Sequence, residues 1–236
     1  MFDTKLPIYG LLLIFSLVVN IVVVLFIYKK TKLTKNDIVC ALIYENIGII
    51  FGAKILTYLT NFNEMNGQFD FEKLGFSSYG AVIGLLVSIL IFSFQFKRDL
   101  VSLLYTFMPS IPLMYGIGKL GCFFAGCCHG FFYEGIGHVT YNYSTVAPSS
   151  VGLFPVQLLE SIVFIIIYIY MIYLYKKNKL NVLYLGICFI LCGISKFLLD
   201  YFRMSHVGEW ISINQIISLF FIMIGLVMYI KQKKIS

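Results

Sequence analysis

The sequence predicts an all-α polytopic membrane protein with seven transmembrane helices, forming a single integral-membrane domain over residues 1–236. Of its 236 residues, 60% are hydrophobic and 12% are charged, and the mean hydropathy is +0.90. This composition leaves too little polar surface to cover a soluble globule. The second observation is spacing, because short charged segments separate apolar stretches of about 20 residues, the length that crosses a bilayer.

The apolar stretches predict seven spans in chain order. They cover residues 8–28, 38–59, 79–96, 100–118, 154–175, 182–199 and 211–230. The first has no basic region before it and no small-residue cleavage site after it, so we expect a retained helix and not a signal peptide. The second span contains Lys54. Glu160 lies near the start of the fifth span, and Lys196 lies near the end of the sixth. In the fourth span, Pro109 and Pro112 predict a kink.

The basic residues predict the orientation. Most of the 18 Lys and Arg residues fall into four clusters that follow the first, third, fifth and seventh spans, at 29–35, 97–98, 176–179 and 231–234. Positively charged loops remain in the cytoplasm, so we expect the N-terminus outside, the C-terminus inside and a small outward-facing head. Its loops are expected at about 61–78, 121–153 and 203–210. The net charge of +7 therefore reflects topology, and no nucleic-acid partner is expected.

We expect the functional site where a basic residue lies among several glycines. The stretch 115–130 reads YGIGKLGCFFAGCCHG and surrounds Lys119 with Gly116, Gly118, Gly121 and Gly126. Glycine permits a bend, or a close approach of a ligand to the backbone, so we expect a break in the helix here. A cation at membrane depth is costly unless it is paired with an anion. We interpret this stretch as half of a lipid-phosphate site.

Three further cations are expected near the outward ends of their helices: Lys54, Lys196 and Arg203. A single lysine at such a position can simply reach interfacial water. Several cations together with the acidic Glu160 and Asp200 favour a site for an anionic headgroup, since ionisable groups inside membranes usually pair around a ligand or pathway.

Three of the six cysteines fall in the glycine-rich stretch, at Cys122, Cys127 and Cys128, and His129 follows them. Thiolate and imidazole bind zinc, but adjacent cysteines do not form the usual C-x-x-C chelate, so no metal is expected. A disulfide from Cys122 to either neighbour is a second alternative on an oxidising face. We favour the third, in which small polarizable side chains pack where the turn needs little bulk.

Short motifs occur in one order along nearly the whole chain. They are LTKNDI at 33–38, FGAKI at 51–55, GFSSYGAVIG at 75–84, GKLGCFFAG at 118–126, FPVQLLE at 154–160, GISKFLLDYFR at 193–203 and SINQIISLFFIMIG at 212–225. In order and spacing they resemble the bacterial prolipoprotein diacylglyceryl transferases, of which this chain looks like a divergent member. The resemblance implies that the thiol of a lipobox cysteine attacks the glycerol carbon of phosphatidylglycerol, which forms a thioether and releases glycerol phosphate.

Together with the residues above, the resemblance implies individual roles. The expected catalytic residues are Tyr79, Lys119, Lys196, Asp200 and Arg203. The expected substrate contacts are Tyr9, Lys54, Gly80, Gly118, Gly121, Cys122, Gly126, Gln157, Glu160 and Gln215, although the two glutamines could instead only bridge helices. The expected partners are phosphatidylglycerol, the lipobox cysteine in a prolipoprotein signal peptide, and membrane lipid. No cofactor is expected, and the expected location is the bacterial cytoplasmic membrane.

The chain departs from the family pattern at several positions. Lysines stand at 54, 119 and 196 where arginine is usual, Asp200 replaces glutamate, Tyr79 replaces the histidine of a His-Gly-Gly motif, and Cys122 replaces asparagine. Lysine keeps the charge but loses the fork that suits phosphate, and tyrosine, with an ordinary pKa of about 10, is a poor base. Two alternatives stay open: a paralogue that passes the same lipid group to a different acceptor, and a non-catalytic lipid-binding membrane protein. The lack of two related halves argues against a transporter.

Overall fold

The computed structural model describes residues 8–62, 75–142, 144, 146–177 and 182–235, with the backbone alone for 231–235. Most of the predicted loop 61–78, Lys179 and the side chains of the last basic cluster lie outside these ranges. Within them the chain forms eight α-helices: α1 (Ile8–Ile27), α2 (Lys35–Thr60), α3 (Ser78–Phe96), α4 (Leu100–Phe107), α5 (Ser110–Ala125), α6 (Val156–Lys176), α7 (Val182–Asp200) and α8 (Ile213–Ile235).

Seven helical segments of the described chain are long and apolar enough to cross a membrane, and α4 and α5 together make one of them, Leu100–Ala125. The predicted fold class, an all-α polytopic membrane protein with seven spans, is therefore confirmed. Where the sequence predicts a kink, the helix is interrupted between α4 and α5, with Pro109 at the junction. Proline interrupts a helix there because it lacks an N–H and its ring crowds the preceding turn.

The predicted break at the glycine-rich stretch is wrong. Helix α5 continues through that stretch and ends at Gly126, whose φ of 74° is left-handed. Helices commonly end on such a residue, and glycine adopts it without strain. Inside α5, Gly121 serves close packing instead, since a Cβ there would lie 3.2 Å from the ring of Tyr9. The first residues of the predicted loop 121–153 are therefore the last turn of α5.

The chain divides into two compact units, a larger one of residues 1–20 and 109–236 and a smaller one of residues 21–108. In the smaller unit, α2 begins with a capping box in which Thr34 and Asp37 bond each other's backbone N–H. Helices α2 and α3 then pack at glycines, and a Cβ on Gly84 would overlap the carbonyl oxygen of Gly48. An apolar groove of about 520 Å³ follows this helix pair.

In the larger unit, α5 packs on α6, α6 on α7 and α7 on α8. The long connection from α5 to α6 is tied down by isolated β-bridges, which pair Gly130 with Arg203 and Val139 with Leu153. The rings of Phe131 and Phe154 also stack, with their centroids 5.5 Å apart. The connection is thereby held against the residues that follow α7.

Candidate active site

One carboxylate, that of Glu160, holds three cations in the larger unit. The Lys196 ammonium nitrogen lies 2.6 Å from Oε1 of Glu160, and the Lys119 nitrogen lies 3.1 Å from Oε2. Arg203 donates from Nη2 to both oxygens, at 3.0 and 2.9 Å. Solvent reaches 0% of Glu160, 3% of Lys119, 4% of Lys196 and 7% of Arg203. We call these four residues together with Asp200 the Glu160 cluster.

The helix order explains how the charges meet. Lys119 lies in the second half of α5, and Lys196 lies one turn before the end of α7. Glu160 occupies the second turn of α6, and Arg203 follows α7 after two residues. The C-terminal parts of α5 and α7 therefore meet the N-terminal part of α6 at the same end of the unit.

Asp200 is the second anionic group of the cluster. Its Oδ1 lies 3.6 Å from the Lys196 ammonium and 3.7 Å from Nε of Arg203. The same carboxylate also accepts two hydrogen bonds from residues at the start of α8: the Ser212 hydroxyl donates to Oδ2, and the Asn214 amide donates to Oδ1 at 3.2 Å. The start of α8 thus fixes the carboxylate that faces two of the cations.

The Glu160 cluster carries a net positive charge, because three cations face two carboxylates. Burial alone would lower the pKa of Arg203, but the Glu160 carboxylate holds that pKa well above its usual value. Water is nearly excluded from these groups, so the remaining charge is screened less than on a surface. A ligand with a single negative charge would neutralise the cluster.

Two more side chains shape the cluster. The Tyr115 ring lies beneath both lysines, with its centroid 5.2 Å from the Lys119 ammonium and 5.8 Å from that of Lys196. The negative face of an aromatic ring attracts cations. Gln157 donates from Nε2 to the carbonyl oxygen of Cys127 at 2.9 Å. Through that bond α6 also anchors the turn that follows α5.

The structure brings together most of the residues predicted for the phosphate-binding half. Lys119, Lys196, Asp200 and Arg203 surround Glu160, and their roles toward a substrate stay predictions. Other predicted contacts lie along α5, at Gly118, Gly121, Cys122 and, directly after the helix, Gly126. The Tyr9 ring lies against the backbone of Gly121.

Gln215 is engaged within the protein. Its backbone N–H donates to the Ser212 hydroxyl at 3.1 Å, and its side-chain oxygen accepts from the Ser212 N–H, also at 3.1 Å. Its side-chain nitrogen donates to the carbonyl oxygen of Phe197 at 3.3 Å. These bonds form a helix cap and link α8 to α7, and a contact of Gln215 with substrate stays a prediction.

Lys54, Tyr79 and Gly80 belong to the smaller unit. The Lys54 ammonium lies 4.3 Å from the centroid of the Phe76 ring. Tyr79 is buried in the first turn of α3, next to Gly80, whose N–H donates to the Ser77 hydroxyl at 3.2 Å. Gly80 also lines the apolar groove. The expectation that Lys54 and Tyr79 share a site with the other cations stays a prediction.

Four residues that contact the cluster were not predicted from the sequence: Tyr115, His206, Ser212 and Asn214. Tyr115 precedes Lys119 by four positions, a spacing that puts two side chains on one face of a helix. Ser212 opens an S-x-x-Q pattern, which is the sequence signature of a capping box. Both signals were present in the sequence, whereas the contact of Asn214 depends on how α8 packs on α7.

The fold and the cluster define an integral-membrane protein with a buried site of net positive charge. The family profile of prolipoprotein diacylglyceryl transferases matches residues 1–231, and the chain belongs to this family. The resemblance read from the motifs is therefore confirmed. Similar proteins include the phosphatidylglycerol–prolipoprotein diacylglyceryl transferase of Clostridium tetani, 26% identical over 97% of this chain and 94% of the relative. Phosphatidylglycerol–prolipoprotein diacylglyceryl transferase 2 of Clostridium perfringens is 27% identical over 97% of this chain and 91% of the relative. The Campylobacter hominis enzyme is 30% identical over 100% of this chain and 90% of the relative.

Proposed function

We propose that this chain transfers the diacylglyceryl group of phosphatidylglycerol to the thiol of a lipobox cysteine in prolipoproteins and releases glycerol phosphate. Membership of the family supports the reaction class. The observation that carries the assignment to particular residues is the Glu160 cluster. Its single excess positive charge matches the single negative charge of a phosphodiester.

Charge development explains why such a cluster would accelerate the transfer. The attack of a thiolate on the glycerol carbon breaks a C–O bond and leaves a second negative charge on the departing phosphate. Cations already fixed in a nearly dry site stabilise that charge without reorganising. Lys119, Lys196 and Arg203 would contact the phosphate, while Asp200 would hold these groups in place.

Positioning is the second contribution. The Glu160 carboxylate binds Lys119, Lys196 and Arg203 at hydrogen-bond distance, so their side chains are oriented before substrate arrives. A preordered site saves the entropy of ordering these long side chains when the lipid binds. Glu160 would therefore act as a positioning residue and not as an acid or a base.

The site would face the outer side of the bacterial cytoplasmic membrane. Lys29 and Lys30 follow α1, Lys97 and Arg98 follow α3, and Lys177 follows α6. These basic ends favour the cytoplasm. Lys177 follows one end of α6, and the Glu160 cluster lies toward the other end. A secreted prolipoprotein would present its cysteine at the end of the cluster.

A reconstituted assay tests this function. The purified protein in vesicles of phosphatidylglycerol should attach a diacylglyceryl group to a lipobox peptide, and the product is measured by its mass. Replacement of Lys119 by Ala should lower the transfer rate about 10²- to 10³-fold, the usual effect of removing one preorganised donor to a developing anion. The matched control is Lys177→Ala, because this exposed lysine lies at the other end of α6.

Three results would reject parts of the proposal. Transfer by Lys119→Ala at the rate of the Lys177→Ala control would remove Lys119 from the mechanism. Release of glycerol phosphate without modified peptide would identify a different acceptor, an outcome that the unusual Tyr79 and Cys122 give reason to test. No consumption of phosphatidylglycerol at all would leave only lipid binding.

A further inference from the structure

Three cysteine sulfurs meet beside the Glu160 cluster. The Sγ atoms of Cys122, Cys127 and Cys128 all lie within 4.8 Å of one another, and all three are free thiols. The turn after α5 brings them together, because Gly126 and Cys128 both have left-handed φ angles, of 74° and 54°. For a residue with a side chain, that conformation is strained and needs support from its surroundings.

The support comes from the same elements that build the cluster. Gln157 of α6 donates to the Cys127 carbonyl oxygen at 2.9 Å, and the Ser144 hydroxyl donates to the Ala125 carbonyl oxygen at 2.9 Å. After the turn, the His129 carbonyl oxygen accepts from the backbone N–H of Met204 at 3.2 Å. The backbone of the turn that carries Cys127 and Cys128 is therefore fixed by hydrogen bonds before, within and after it.

We propose that Cys122, Cys127 and Cys128 form a three-thiolate site for Zn²⁺ whose fourth coordination position takes the acceptor thiol. Zinc–sulfur bonds of about 2.3 Å in a tetrahedron separate the sulfurs by about 3.8 Å. Sulfurs within 4.8 Å of one another need to move by about 1 Å or less each. Sites with three protein ligands and an open position are those in which zinc does chemistry, whereas structural sites have four.

The surrounding charge suits this ion. Zn²⁺ lowers the charge of three thiolates from −3 to −1, and Lys119 precedes Cys122 by about one turn of α5. Cys122 is buried at the end of α5, whereas Cys127 is partly exposed and Cys128 is an exposed residue of the turn that follows. The adjacent cysteines conceal this arrangement in the sequence, since their spacing does not match a zinc-binding motif.

The use of the site rests on the proposed function. The acceptor thiol would replace a water on the zinc and release its proton to solvent, because a coordinated thiol is deprotonated. The thiolate then attacks the glycerol carbon of the lipid. A C–S bond forms, the C–O bond to phosphate breaks, and glycerol phosphate leaves with the bonding electron pair beside the cations. Zinc would thus supply the thiol activation that Tyr79, at the position where the family has histidine, is poorly suited to give.

Metal binding is tested on the full-length protein in detergent. We expect one zinc per chain by mass spectrometry, and one Cd²⁺ per chain by the ultraviolet charge-transfer absorption of thiolate–cadmium bonds. Replacing Cys128 by Ser should weaken Cd²⁺ binding at least about tenfold. The matched control, Cys192→Ser in α7, should bind as the wild type does. A triple serine variant at 122, 127 and 128 should bind none, with thermal unfolding as the check that it folds.

The open position is tested separately. With Co²⁺ in the site, a lipobox peptide should intensify the sulfur-to-metal charge-transfer band, whereas the same peptide with serine for cysteine should not. Equal metal binding by wild type and Cys128→Ser, or a disulfide among the three cysteines in the isolated protein, would overturn the site. Full transfer activity in a metal-free triple variant would overturn its role and leave the proposed function intact. Metal binding without lipid transfer in any preparation would reject the proposed function, and with it the role of the zinc in transfer, but would leave the metal site itself intact.

Discussion

Glu160→Gln is the most informative perturbation of the cluster. The change removes the carboxylate whose oxygens lie 2.6 to 3.1 Å from the side-chain nitrogens of Lys119, Lys196 and Arg203. Asp200 is then the one carboxylate left in the cluster to balance these three buried cations. Breaking a buried ion pair from one side costs about 3–5 kcal/mol, because the remaining charge stays desolvated. For a chain of this length each kcal/mol lowers the melting temperature by about 2–4 °C, so we expect a decrease of about 6–20 °C.

The assay is thermal unfolding in a neutral detergent, with Glu209→Gln as the control, because Glu209 lies in the same unit but is exposed. Added phosphatidylglycerol should stabilise Glu160→Gln more than the wild type, since an anionic headgroup replaces part of the lost charge. Zwitterionic phosphatidylcholine should not. A melting temperature within about 1 °C of the Glu209→Gln control would refute the reasoning that this carboxylate neutralises the cations.

Two further predictions concern packing and capping. Gly84→Ala should destabilise the protein by about 1–3 kcal/mol, because its Cβ would overlap the Gly48 carbonyl and force α2 and α3 apart. Gly10→Ala, where a Cβ meets nothing within 4 Å, is the control in the same unfolding measurement, and equal melting temperatures would contradict the close packing. Ser212→Ala should cost about 1–3 kcal/mol and slow lipid transfer, because both Asp200 and the start of α8 lose a bond. Ser212→Thr keeps the hydroxyl and should retain most of both properties; similar losses in the two variants would argue against the hydroxyl.

The membrane spans could be predicted from the sequence because uncharged runs in a bilayer leave the backbone few alternatives to a helix. The predicted spans therefore agree with the structure to within a few residues at most of their ends. The end of α5 is the exception. Its internal glycines suggested a break, yet a helix packed in a membrane tolerates small residues and uses them for close approach. Only Gly126, with its positive φ, ends the helix.

The cations of the site were predictable for a similar reason, since few explanations exist for lysine inside an apolar span. The central position of Glu160 was less predictable. The sequence indicated only that Glu160 is one of two acidic residues near several cations, whereas in the structure its carboxylate contacts three cations at once. The meeting of the three cysteine sulfurs could not be predicted, because it depends on the backbone angles at 126 and 128 and not on residue spacing.

A carboxylate inside the proposed phosphate-binding site would compete with the phosphate, and the charges of the cluster explain why one would nevertheless be useful. Three buried cations with no counter-ion would be unstable, but full neutralisation would remove the attraction for lipid. The observed set leaves one positive charge. A phosphodiester brings the total to zero, whereas glycerol phosphate, with about two negative charges near neutral pH, brings it to −1. In a site with little water that excess charge is unfavourable. The same cluster would therefore bind the lipid and, once the C–O bond has broken, favour release of the smaller product.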